Sequence, residues 1–328
     1  MQDGLEHETP PAGVTIDGRY VVEARIGTGA TGVVLRVRHR ETGRRLALKL
    51  LTAPMDDAER FRREAQTLGL LYHPNIVAVT DSGVAPEFGR RPYLVTEYLE
   101  GRTLRDWLSA PLDRQRALDW LATIAEAVDY AHTNGVLHRD LKPENVIVRE
   151  GPGDSLTPKV LDFGLARWRD SAAVRAGRDP ARDPRLTDAD QLVGTPAYIA
   201  PEQIRGDNAG PAADVYALGV LAYEMLGGGL PFTGTLPQVL DDHMSRPVPA
   251  PQDLPDELTA VLLRALAKDP DARHASAGAF VAALKDAATR AHARERASAD
   301  RPRRRLLALA AATLSLSLIH ISEPTRPY

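Results

Sequence analysis

The sequence predicts an α+β chain, with a β-rich first part followed by a longer, mostly helical one. Two observations carry this. Runs rich in β-branched and aliphatic residues, Tyr20 to Ile26, Val33 to Arg38, Leu46 to Leu51 and Tyr93 to Leu99, are short and broken by glycine and polar residues, as strands are. Further on, apolar residues return at helical spacing in Leu118, Leu121, Ala125 and Val128. Asp214 to Leu226 is apolar nearly all round, as a helix in the centre of a core must be.

Composition bounds the function. With 328 residues, 43% of them hydrophobic and 26% charged, the chain buries a substantial core. A net charge of -3 supplies no basic field, which argues against nucleic acid as a partner. The chain has no cysteine, hence no disulfide and no cysteine-ligated metal. Residues 1–15 lack the basic start and apolar core of a signal peptide and read as a disordered, polar leader.

In chain order, Tyr20 to Ile26 and Val33 to Arg38 flank Gly27-Thr28-Gly29-Ala30-Thr31-Gly32, a hairpin with a glycine-rich turn. Such a turn is a plain structural device or a place where backbone amides approach a phosphate. The next strand carries Lys49, a cation that is costly to bury without an anion. In Asp57 to Leu71, Phe61, Ala65, Leu68 and Leu71 mark the apolar face of a helix, and Glu64 on it is either a solvated charge or the partner of Lys49. Tyr93 to Leu99 runs into Glu100-Gly101, a hinge between two parts. The Leu118–Val128 helix is closed by Asn134-Gly135.

The densest chemistry lies in His138-Arg139-Asp140-Leu141-Lys142-Pro143-Glu144-Asn145, which gathers a base, two cations and an amide. Apolar Val146-Ile147-Val148 follows, then Val160-Leu161 leading into Asp162-Phe163-Gly164, so two short strands deliver polar residues to one place. Between Asp162 and Glu202, the stretch Arg167 to Arg185 holds six arginines and three aspartates and is expected to be mobile. Segments Leu258 to Ala267 and Ala275 to Leu284 read as the last helices.

These motifs, together with Gly194-Thr195-Pro196 and Ala200-Pro201-Glu202, resemble those of protein kinases, and Ile16 to Ala288 is similar to the bacterial eukaryotic-like Ser/Thr protein kinases. The resemblance implies a two-lobed kinase fold: a small β-rich N-lobe (about 16–98) with one main helix, and a larger helical C-lobe (about 99–288). It implies transfer of the ATP γ-phosphate to protein serine or threonine hydroxyls, with Mg2+ as the metal. Catalytic roles then fall on Asp140 as base, Lys142 and Lys49, with Glu64 paired to Lys49. ATP falls to Ile26, Gly27, Gly29, Gly32, Val34, Ala47, Lys49, Thr96 as gatekeeper, the main chain of Glu97 and Leu99, and Ile147. Asn145 and Asp162 are the metal ligands. The resemblance also implies Asp214 beneath the catalytic loop and Glu202 paired with Arg273. Arg139, Thr187 and Thr195 become regulatory, with autophosphorylation of Thr187 and self-association for it in trans. A pseudokinase scaffold and a small-molecule kinase are the other readings of the same motifs.

After the domain, residues 289–305 read as a basic juxtamembrane-like linker or a helical extension, and Leu306 to Ile319 is an apolar run of fourteen residues broken only by Thr313, Ser315 and Ser317. About twenty such residues span a bilayer, so the run is short for a span. The preceding arginines fit the cytoplasmic side of a single-pass membrane protein, and Leu316 to Arg326 resembles a translated transposon adapter. The expectation is a truncated membrane helix with an artefactual ending, and a cytoplasmic kinase domain.

Overall fold

The computed structural model describes residues 9–29, 32–52, 58–151, 153, 155–163, 196–207 and 209–297. Strands β1 (Thr15–Ile16), β2 (Tyr20–Gly29), β3 (Gly32–His39), β4 (Arg45–Leu51), β5 (Val79–Ala85) and β6 (Arg91–Glu97) form an antiparallel sheet in the order β1-β2-β3-β4-β6-β5. The two-residue period of a strand gives this sheet two different faces. Leu46, Leu48 and Leu50 join Val33, Leu35, Val37, Tyr93 and Val95 in one small core. Val34, Ala47, Lys49 and Thr96 line the cleft instead. Register fixes their neighbours, with Val34 opposite Lys49 and Ala47 opposite Thr96. Gly32 is required by geometry: its φ is +153°, and a Cβ there would lie 2.2 Å from the Leu50 carbonyl oxygen.

Helix α1 (Ala58–Gly69) buries Phe61, Ala65 and Leu68, the face that the spacing predicts. Ala65, Leu68 and Leu71 belong to the larger core, so the helix ties the small lobe to the large one. After the hinge, β7 (Arg102–Thr103), β8 (Val146–Glu150) and β9 (Leu156–Val160) make a second sheet in that order. Gly101 permits the close approach there, since a Cβ would lie 2.5 Å from the Val148 carbonyl oxygen.

The large lobe is built from α2 (Leu104–Trp107), α3 (Arg114–Thr133), α4 (Pro201–Arg205), α5 (Pro211–Gly227), α6 (Leu236–Met244), α7 (Asp256–Ala265) and α8 (277–297). Helix α5 is buried along Ala213 to Tyr223, on every side, as its composition demands. Helix α3 starts on the Asp113 side chain, which accepts from Arg116 N at 3.0 Å, and gives way to Gly135 at φ +75°. Its Asp129 in turn receives Ser276 Oγ and the amides of Ala277 and Gly278 at 2.9, 3.0 and 2.9 Å, fixing the start of α8.

Two boundaries and one strand differ from the sequence expectation. The leader already joins the sheet before residue 16, because Gly13 N donates to Val22 O and Val22 N to Val14 O. Strand β5 was not anticipated; its sequence Val79-Thr80-Asp81-Ser82-Gly83-Val84-Ala85 has little apolar alternation, and pairing with β6 makes it a strand. The large lobe does not end at 288, since α8 continues and Ala291 is buried in the larger core. Among the described residues no helix is long and apolar enough to cross a membrane, and the run 306–319 lies outside them.

The expected Glu202–Arg273 pair is present, buried and two-pronged, with N–O distances of 2.7 and 2.8 Å. Removing one partner strands the other charge in the core, so Arg273→Ala should cost about 3–5 kcal/mol in urea unfolding, whereas Arg205→Ala, which opens the exposed Arg205–Asp207 pair, should cost under about 1 kcal/mol. A second test uses pH. Burial holds the His243 imidazole, packed on Tyr216 and Phe232, down to about 4. An unfolded histidine takes its proton near 6.5, so between pH 6.5 and 4 the unfolded chain binds more protons and stability falls as pH falls. At pH 5 this residue should remove about 2 kcal/mol relative to pH 7, and a His243→Leu variant should lose that part of the slope.

Candidate active site

The β8–β9 hairpin brings together the two polar motifs that the sequence singled out. Leu161 N donates to Asn145 O at 2.8 Å, joining loop 138–145 to turn 161–163. His138 is fully buried between them. Its Nδ1 accepts from Asp140 N at 3.3 Å, its Nε2 donates to Leu161 O at 2.8 Å, and its ring meets Phe163 edge-on at 4.7 Å. Burial lowers its affinity for a proton, which agrees with this neutral tautomer.

Asp214, from α5, holds the loop from below. One carboxylate receives the amides of His138 and Arg139 at 2.8 and 2.7 Å and His132 Nε2 at 2.7 Å. Burial works against its charge, but the His132 hydrogen bond and the other donors outweigh it, and the carboxyl sits below its usual range. Arg139 and Asp162 have φ values of +67° and +58°, a region that side chains seldom enter, so each is held there by its surroundings. For Arg139 those surroundings include Asp214 on its amide and Gln203 Nε2 on its carbonyl at 2.9 Å.

The reactive groups cluster above. Lys142 Nζ lies 2.8 Å from Asp140 Oδ2, and Asn145 Nδ2 donates to the Asp140 carbonyl at 2.7 Å and to its Oδ2 at 3.3 Å. Lys49 Nζ lies 2.5 Å from Asp162 Oδ2. This corrects the expected pairing with Glu64: among the described residues the ion partner of Lys49 is Asp162, and Glu64 is half-buried on α1. The spacing of α1 sets its apolar face but not how near that face's flank comes to β4, so the pairing was not readable from the sequence.

Next to this cluster an apolar cavity opens between the lobes. Ile26, Val34 and Ala47 lie on the β2–β4 side, Thr96 to Leu99 along the hinge, Ile147 on β8, and Lys49 and Asp162 at its polar end. Beyond Thr96 it reaches Leu68, Leu71, Leu94 and Phe163. Of the residues expected to bind a nucleotide, Ile26, Val34, Ala47, Lys49, Thr96, Glu97, Leu99 and Ile147 therefore share one cavity. Gly27, Gly29 and Gly32 lie at the hairpin tip, where Gly27 pairs with Val34 and Gly29 with Gly32. Thr187, Thr195 and Gly164 lie outside the described residues.

The side chain of Glu97 matters more than the sequence reading allowed. It accepts from Ala78 N at 3.1 Å and from Lys159 Nζ at 2.6 Å, pinning the hinge to the β5 approach and to β9. Burial opposes its charge, but these donors outweigh it and hold its carboxyl low. No periodicity signals such a contact; neither does any signal His132 or Gln203. Asn145 and Asp162 offer an amide and a carboxylate, the hard oxygens that suit Mg2+, an ion that takes few protein ligands and fills its shell with phosphate oxygens and water.

A protein-family model described as "Protein kinase domain" matches residues 20–284. The chain is 38% identical over 307 residues to serine/threonine-protein kinase Pkn1 of Myxococcus xanthus, covering 91% of this chain and 42% of that one. It is 37% identical to PknA of Mycobacterium tuberculosis over 286 residues (84% and 63%) and 37% identical to its PknB over 281 residues (82% and 43%). It thus spans about two fifths to three fifths of these relatives. The crystal structure of the M. tuberculosis PknI kinase domain superposes with a TM-score of 0.61 at 27% identity, covering 85% of this chain and all of that one.

The grip on the loop yields a prediction about stability. Asp214→Ala leaves the amides of His138 and Arg139 and the His132 ring without their acceptor, and at about 1–3 kcal/mol for each orphaned donor the variant should lose about 3 kcal/mol in denaturant unfolding. Asp214→Asn, which keeps one acceptor oxygen, should lose less. Equal stability of all three proteins would refute the role given to this carboxylate.

Proposed function

This chain belongs to the protein kinase domain family, and from that premise we propose that it transfers the γ-phosphoryl group of ATP to serine and threonine hydroxyls of proteins. The observation that carries the reading is the Lys49–Asp162 pair at the polar end of an apolar cleft, tied through the Leu161–Asn145 backbone bond to the loop in which Lys142 and Asn145 hold the Asp140 carboxylate. Phosphoryl transfer sets several negative charges side by side and asks the protein for positioning and charge neutralisation more than for a strong nucleophile.

Each residue has a part that its contacts support. Asp140 accepts the proton of the attacking hydroxyl, and the Asn145 amide and the Lys142 ammonium fix where its carboxylate points. Lys142, beside that carboxylate, also lies where it can meet charge on the phosphoryl group in flight. Lys49 leaves Asp162 to bind the α- and β-phosphates. Mg2+, when bound by Asn145 and Asp162, would neutralise phosphate charge. Val34, Ala47 and Ile147 hold the adenine plane, and the main chain of Glu97 and Leu99 meets its edge. A pseudokinase is disfavoured because Lys49, Asp140 and Asp162 are all present. The same reading extends to self-association, to a phosphate on Thr187 meeting Arg139, and to a membrane tether within 306–319.

The test is phosphotransfer from labelled ATP with Mg2+. Asp140→Asn and Lys49→Met should each lose about a hundredfold or more in kcat/KM while unfolding like the wild type, because both act on charge in the site and not on the core. A folded Asp140→Asn protein that turned over at the wild-type rate would remove Asp140 from its role as base.

A further inference from the structure

Beside the catalytic loop, a second cluster of charges draws on four separate segments. Arg105 on α2 donates from Nε to Glu144 Oε1 at 2.8 Å, from Nη1 to Glu224 Oε1 on α5, and from Nη2 to Tyr198 Oη at 2.7 Å. Tyr198 Oη in turn donates to Glu224 Oε2. Every nitrogen of the guanidinium is engaged. Glu144 directly precedes Asn145, which touches Asp140, so the cluster adjoins the group assigned as base. Tyr198 comes two residues after Pro196, just ahead of α4. One cation faces two carboxylates, and Glu144 Oε2 is buried with no hydrogen-bond partner among the described residues.

Resting on the protein-kinase reading above, we propose that Arg105 determines specificity: it is a resident cation that occupies a two-carboxylate site beside the catalytic loop, so that the protein takes acceptor peptides with no basic residue near the serine or threonine. Two carboxylates at the rim of a cleft draw a cation from whatever passes, and an arginine fork matches them best. Here α2 supplies that fork from within the chain, already oriented, so it outcompetes a peptide arginine that must lose its freedom to bind. The site is reachable, with the Arg105 and Glu144 side chains 32% and 35% exposed. Take the guanidinium away, and Glu144, Glu224 and the Tyr198 hydroxyl are left without it, in a shape that suits a guanidinium from outside. Specificity in this scheme comes from filling a site as much as from offering one.

The experiment compares threonine peptides that differ only by arginine or alanine at each flanking position, phosphorylated with Mg2+ and ATP by wild type and Arg105→Ala. Wild type should treat each pair alike to within about threefold, and the variant should prefer arginine at one position by at least about tenfold, through the peptide KM with the ATP KM unchanged. Guanidinium chloride at concentrations that leave the fold intact should restore the variant's rate on the alanine peptides. Arg105→Gln, which keeps a hydrogen bond to one carboxylate, serves should the alanine variant fail to fold, and should gain the same preference. A wild type that already depends on a flanking arginine overturns the proposal without any variant, and so does a folded variant with no new preference. A wild type that labels no protein or peptide at all would instead defeat the phosphotransfer reading beneath it.

Discussion

The site depends on one buried carboxylate. Asp214 stands on the most enclosed helix of the molecule and spends its charge on the amides of His138 and Arg139 and on His132. A charge in that position is expensive alone and tolerable with three donors. With the two amides fixed, Arg139 can keep its left-handed backbone, the chain turns, and Asp140 follows in the orientation that Lys142 and Asn145 share. The same grip positions His138, whose ring carries the order on to Leu161 and Phe163, and so to Asp162. Two motifs far apart in sequence are thereby parts of one object.

The small lobe contributes through the alternation of a strand. One face of β3 and β4 is leucine and valine against its own core; the other presents Val34, Ala47 and Lys49 to the cleft. A lysine on that face needs an anion, and in this structure it takes Asp162 across the cleft. Helix α1, whose inner residues pack in the larger core with Phe163, and Glu97, whose carboxylate holds Lys159, are further bonds between the lobes. The two lobes are joined by charge and by packing as well as by the chain.

Much of this was legible in the sequence, for physical reasons. Loop 138–145 and the turn at Asp162 were visible because several polar residue types crowd together there between apolar strands. Asp214 stood out as a charge within an apolar helix, whereas the Glu202–Arg273 pair was implied by the kinase resemblance alone. Strand β5 was missed because its own residues barely alternate, and its structure comes from β6. The end of the large lobe was set too early because Arg290, Arg294 and Glu295 made the stretch look solvated, while Ala287, Ala288 and Ala291 kept an apolar stripe running beneath them. The partners of Lys49, Glu97 and Arg105 could not be read, since they depend on how whole elements are placed against each other. Local pattern carries no record of that.

The claim that everything else rests on is that Asp214 holds the backbone at 138 and 139. Amide hydrogen exchange at His138 and Arg139 tests it most directly, comparing wild type with Asp214→Ala under conditions where both are folded. In wild type the two amides should exchange about as slowly as the buried amides of α5, because opening them means exposing a buried carboxylate. In the variant they should exchange fast while the amides of β3 and β4 stay protected. Equal protection of His138 and Arg139 in the two proteins would mean that something other than this carboxylate holds the loop.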